Sequence, residues 1–150
     1  MHDKRRYVKL RPVRRAALFV VAVVLALPLP SLAGGGARNL VVTPQVRSAL
    51  RHAFLAAHRK LRPRRVKGPL RGTTYYGRYR GREYAFADFS IPVFGTQDQP
   101  EVFRRPVGGA WRDLGDTGGD ICPPTVPLPL IKAWHLRRSS RVGSVWCYAA

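Results

Sequence analysis

The sequence predicts an α+β fold, with an N-terminal amphipathic helix packed on a small antiparallel sheet of about four strands and a disulfide-stapled C-terminal arm. Three observations carry this reading. Apolar residues recur at helical spacing from Val46 to Ala57. Two stretches rich in Tyr, Thr and Phe follow, separated by a glycine turn. The only two cysteines, Cys122 and Cys147, lie near the C-terminus.

A leader precedes the folding part. Met1 to Arg15 carries Lys4, Arg5, Arg6, Lys9, Arg11, Arg14 and Arg15 against the single acid Asp3. An uncharged apolar run from Ala16 to Leu27 comes next, then Pro28, Pro30 and the small-residue tripeptide Ser31-Leu32-Ala33. That order reads as a secretory signal peptide cleaved after Ala33. A helix over the apolar run would rise about 18 Å, short of a hydrocarbon core about 30 Å thick. Cleavage is therefore favoured over an N-terminal membrane anchor, the form an uncleaved leader would take. Arg14-Arg15 also suits twin-arginine export, although paired arginines occur in many basic leaders. The expected organisation is a signal peptide over 1–33, a flexible lead-in over 34–42 opened by three glycines, and one exported domain over 43–150. The expected location is secreted or extracytoplasmic, in association with the cell envelope.

Within that domain, Thr43 is placed to cap a helix and Pro44 to occupy its first position, where a missing N–H costs nothing. Val46, Ala49, Leu50, Ala53, Phe54 and Ala57 share one face, with Arg47, Arg51 and His52 on or near the other. The helix is expected to end between His58 and Leu61. Pro63 keeps the basic stretch from His58 to Lys67 out of a long helix, which leaves an exposed connector. Thr73 to Tyr79 and Glu83 to Phe89 form the first hairpin around Gly81. Val102 to Val107 and Ala110 to Leu114 form a second around Gly108-Gly109. Pro123, Pro124, Pro127 and Pro129 impose an extended segment before a short helix at about 130–138, and a last strand over 144–148 returns Cys147 towards Cys122. In an exported chain such a pair is most simply one disulfide.

The whole chain carries a net charge of +19. Beyond Ala33 it keeps 20 of 27 basic residues and 7 of 8 acids, for a net +13. Such a balance suits attraction to a polyanion, although GC-rich coding raises Arg, Ala, Gly and Pro together. The residues assigned to anionic-ligand binding are Arg59, Lys60, Arg62, Arg64, Arg65 and Lys67, joined on one face by Arg78, Arg80 and Arg82 and by Arg137, Arg138 and Arg141. Their partner is an anionic cell-wall polymer or lipid head groups. Nucleic acid is possible and less favoured, even though Tyr75, Tyr76, Tyr79, Tyr84, Trp111, Trp134, Trp146 and Tyr148 could supply a stacking platform.

Catalytic signals are sparse. Asp116-Thr117-Gly118 matches the Asp-Thr-Gly of aspartic proteases, but Gly115 precedes it and a proline-rich tract follows. An Asp/Gly turn is the expected structure there. Asp113, Asp116 and Asp120 lack the spacing and closing Glu of a calcium loop. His52 and His58, six apart, do not stack on one helical face, and with His135 they read as solvated surface imidazoles. No cofactor, metal or catalytic residue is assigned.

Tyr75-Tyr76-Gly77, Tyr84-Ala85-Phe86-Ala87-Asp88-Phe89-Ser90, the run from Trp111 to Gly119, and Cys122-Pro123 together resemble small exported domains of high-GC bacteria whose function is unassigned. The resemblance covers about residues 43–136. It implies an exported single domain and transfers no catalytic residue. The functional expectation is a non-enzymatic domain that docks its basic face on an anionic envelope component. The alternatives are a protein–protein or inhibitor module, and a hydrolase using Asp116.

Overall fold

The computed structural model describes residues 36–91 and 98–149. The leader and its cleavage position after Ala33 lie outside the described residues. The fold is mixed, with a five-stranded antiparallel sheet, a separate two-stranded sheet and few helices.

The main sheet runs in sequence order as β1 (Arg38–Asn39), β2 (Tyr75–Tyr79), β3 (Arg82–Ser90), β4 (Asp98–Pro106) and β5 (Arg112–Asp116). It thus has one strand more than the four or so expected. The extra strand is β1, inside the segment read as a flexible lead-in, where Arg38 and Asn39 pair with Arg78 and Gly77. Its hold depends on the missing side chain of Gly77. A Cβ there would sit 2.5 Å from Leu130 Cδ1 and 2.6 Å from the Arg38 carbonyl oxygen. Gly77→Ala should therefore destabilise the protein by about 1–3 kcal/mol, since backbone as well as side chain must give way. A lower urea midpoint at unchanged slope checks this.

Strand β3 is the central strand of the main sheet, and alternation along it defines two covered faces. Ala85, Ala87 and Phe89 point to one face, where they pack with Phe103, Val66, Leu50 and Phe54. The small alanines let helix α1 (Pro44–Ala57) lie close to the sheet, with Leu50 and Phe54 fully buried. Thr43 Oγ1 accepts from the Val46 N–H at 3.2 Å and fixes the start of this helix. Tyr84 and Phe86 point to the other face, against Val102, Ile121, Val126, Leu130, Ile131, Trp134 and Tyr148.

The second face is closed by the C-terminal arm. Helix α2 covers Leu128–Ala133 and ends sooner than expected, at Trp134. Arg137 and Arg138 are not helical. They open β6 (Arg137–Val142), which pairs with β7 (Val145–Ala149) in its own two-stranded sheet. A disulfide joins Cys122 to Cys147, and Ile121 exchanges backbone hydrogen bonds with Tyr148 at 2.8 and 2.9 Å. The staple therefore ties the outer hairpin to a buried segment.

Two helix arginines depart from the expectation of a solvated face. Arg51 donates to the carbonyls of Val66 at 2.6 Å and Pro63 at 2.8 Å. Arg47 donates to the carbonyls of Pro69 and Leu70 and to Thr74 Oγ1. The connector after α1 has few ladder partners of its own, and these guanidinium groups satisfy its carbonyls instead.

Candidate functional site

Basic charge gathers at the turn end of the sheet. Tyr79 pairs with Arg82, so the β2–β3 connection is the two-residue turn Arg80-Gly81. Both residues have positive φ, 46° and 71°, as a type I′ turn requires. A side chain in that conformation costs about 1 kcal/mol or more. Arg104 lies opposite Tyr84 on one side and Arg112 on the other, and Arg82 lies opposite Pro106. Directly paired residues share a face, so Arg82, Arg104 and Arg112 project together. With Arg80, Arg105, Pro106 and Ala110 they line an open groove of about 380 Å³.

Of these arginines, Arg105 already has a carboxylate partner, which it shares with Arg78. Its Nε donates to Glu83 Oε2 at 2.6 Å, Arg78 donates to Glu83 Oε1 at 2.7 Å, and the Arg105 guanidinium lies 4.3 Å from the Trp111 ring. Burial pushes the Glu83 carboxyl up, but the two arginine hydrogen bonds outweigh it and hold its pKa below the usual value. Arg80, Arg82, Arg104 and Arg112 have no carboxylate within ion-pair distance among the described residues.

The residues assigned from sequence to anion binding lie elsewhere. Arg59, Lys60, Arg62, Arg64, Arg65 and Lys67 are all exposed, around the 3₁₀ turn Pro63–Arg65. Lys67 pairs with Ser90, at the opposite end of β3 from Arg82. Eight residues of strand, roughly 26 Å, separate the two ends. The tail arginines form a third group, with Arg138 and Arg141 over the Trp146 ring. The single basic face expected from sequence is thus split, because the antiparallel strand carries its two ends to different places. Nor do the aromatic residues form an open platform. Tyr76, Tyr84, Trp134 and Tyr148 are buried, and of the three tryptophans Trp146 is the exposed one.

A second cluster lies under the end of α1. His58 caps that helix, and its ring stacks on Phe54 with centroids 4.3 Å apart. Its Nε2 lies 3.3 Å from Glu101 Oε1 and 3.6 Å from Asp113 Oδ2. The His58 side chain is 30 % exposed, Asp113 3 % and Glu101 not at all. This corrects the reading of His58 as a solvated surface imidazole; Asp113 lies in a strand, as expected, but with its side chain buried. A bulge makes the meeting possible. Val102 pairs with Gly115 and Phe103 with Asp113, so Leu114 is the extra residue in β5. Gly115 takes φ 104°, and its N–H donates to Asp113 Oδ1 at 2.8 Å. The bulge turns Asp113 towards Glu101.

Neither Glu101 oxygen, nor Asp113 Oδ2, makes a hydrogen bond of good geometry. Burial, and then the charge of Asp113, pushes the Glu101 carboxyl up to about 8. Burial also raises Asp113, against the opposing Gly115 N–H. At neutral pH the pair therefore retains a proton. Asp116 stands apart. It is exposed at the end of β5, and its Oδ1 accepts from the Gly118 N–H at 2.7 Å in the expected turn.

Comparison with protein-family models, with curated proteins and with solved structures finds no match. Among the described residues no helix is long and apolar enough to cross a membrane. Two sites thus come from geometry alone. Arg104 and Arg112 could have been found by placing them opposite one another across Gly108-Gly109. The His58–Glu101–Asp113 cluster has no local signal.

Proposed function

We propose that this is an exported, non-enzymatic domain that binds a phosphodiester-type polymer of the cell envelope, with the arginine groove as its principal contact. The observation that carries the reading is the set of four uncompensated guanidinium groups, Arg80, Arg82, Arg104 and Arg112, around one groove. Arginine suits this task because its planar fork meets phosphate oxygens two at a time. The strained position of Arg80 supports it further. Asparagine or glycine would fit the turn better, so an arginine there implies a benefit outside the turn itself. The exposed connector from Arg59 to Lys67 adds a weaker, longer-range attraction. The staple between Cys122 and Cys147 fits an oxidising location.

Binding to poly(glycerol phosphate) tests the reading. Combined Arg82→Gln, Arg104→Gln and Arg112→Gln should weaken binding by about tenfold or more, equivalent to about 1.4 kcal/mol. Removing more charge from the connector, with Lys60→Gln, Arg62→Gln, Arg64→Gln and Arg65→Gln, should cost less. Equal losses would mean attraction to net charge without a site. Arg80→Asn should raise stability yet weaken binding, and a purely structural arginine would not show that divergence. Preference for anionic vesicles over the polymer would reassign the partner to lipid.

A further inference from the structure

We propose that His58, Glu101 and Asp113 bind one divalent transition-metal ion, with Zn²⁺ the best suited, at a site independent of the arginine groove. The three ligand atoms lie within 4.8 Å of one another. Tetrahedral Zn²⁺ with bonds of about 2.0–2.1 Å holds neighbouring donors about 3.4 Å apart. The two His58 contacts, 3.3 and 3.6 Å, match that spacing.

Charge placement supplies the second argument. Arginine is abundant here, and the other buried glutamate, Glu83, is met by two of them. Glu101 is fully buried, and neither of its oxygens makes a hydrogen bond of good geometry; its near neighbours are the His58 ring and the Asp113 carboxyl, and no arginine or lysine is directed to it among the described residues. A buried carboxylate left in this condition is costly. A cation held between Glu101 and Asp113 removes the cost, because each oxygen gains a ligand bond.

The surroundings are those of a metal site. Gly115 N–H fixes Asp113 by its Oδ1 and leaves Oδ2 facing His58 and Glu101. Stacking on Phe54 orients the imidazole. The partly exposed His58 gives solvent and the ion a route in. One imidazole and two carboxylates suit Zn²⁺ or Mn²⁺ better than Ca²⁺, which takes six to eight oxygens.

Calorimetric titration of the purified, chelator-stripped protein with Zn²⁺ alone tests this. One equivalent should bind, with a rise in Tm. His58→Gln, Glu101→Gln and Asp113→Asn should each weaken it by about 10–100-fold. Glu101→Gln keeps the shape of the side chain and removes a buried charge, so it should fold at least as well without zinc; its loss of binding is then not a loss of structure. His52→Gln with His135→Gln should bind as the unaltered protein does. No stoichiometric binding would overturn the proposal. So would binding that survives Glu101→Gln but is lost with His52 and His135, and tighter binding of Ca²⁺ than of Zn²⁺ would overturn the ion assignment.

Discussion

Glu101→Gln should make the metal-free protein more stable at pH 8.5 while changing little at pH 4. The sign follows from linkage. In the folded protein the carboxyl is pushed up to about 8, against an ordinary value of 4.5. Below pH 4.5 both states are protonated and nothing is lost. Between about 4.5 and 8 the unfolded chain ionises and the folded one does not, so native stability falls as pH rises. At about 1.4 kcal/mol per pH unit, the loss is on the order of 3–5 kcal/mol by pH 8. The amide has no such slope. Urea unfolding with chelator present, at a series of pH values, should show the native curve falling away from the variant. Parallel curves would mean that Glu101 already has a compensating partner.

Removing the disulfide should have an effect of similar size and a different character. Its two cysteines are 25 residues apart, and closing such a loop is worth about 3–4 kcal/mol through the entropy of the unfolded chain. Cys122→Ser with Cys147→Ser should lower stability by about that amount at every pH. The arm is the region most exposed to the loss, because Ile121 and Tyr148, which bridge beside the staple, also belong to the second core face. Hydrogen exchange should therefore quicken first over β6 and β7, and only later in β3. Uniform loss of protection would show that the arm and the sheet unfold as one unit.

The parts of the fold that are legible in the sequence are those whose causes are local. The first hairpin is written in Arg80-Gly81 between two aromatic stretches, and the staple in an isolated pair of cysteines. Strand β1 left no trace because two residues carry no alternation. Its reason lies at Gly77, nearly forty positions away, where an absent side chain makes room. Arg137 and Arg138 read as the end of a helix because the apolar spacing of α2 runs up to them, yet pairing with Tyr148 and Ala149 draws them into β6. Register decides both candidate sites as well. Arg104 and Arg112 matter because they are paired, and Asp113 reaches Glu101 because β5 bulges at Leu114. The first can be read by placing the two arginines opposite one another across Gly108-Gly109, whereas the bulge has no such signal.

The two sites also differ in how the chain manages charge. At the groove, like charges are gathered in solvent, where screening makes their repulsion tolerable and a polyanion would relieve it. Beneath α1, two carboxylates are gathered out of solvent, where only a proton or a cation relieves them. Both arrangements cost stability in the free protein, and such costs persist where function requires them.

The most direct test of the electrostatic reading is the salt dependence of binding to poly(glycerol phosphate). If the four groove arginines each neutralise a phosphate, log K should fall linearly with log salt concentration, with a slope of about −3 at roughly 0.7 per contact for a flexible strand. The Arg82/Arg104/Arg112 triple glutamine variant should retain a slope near −1. Affinity that does not change from low to high salt would contradict the account.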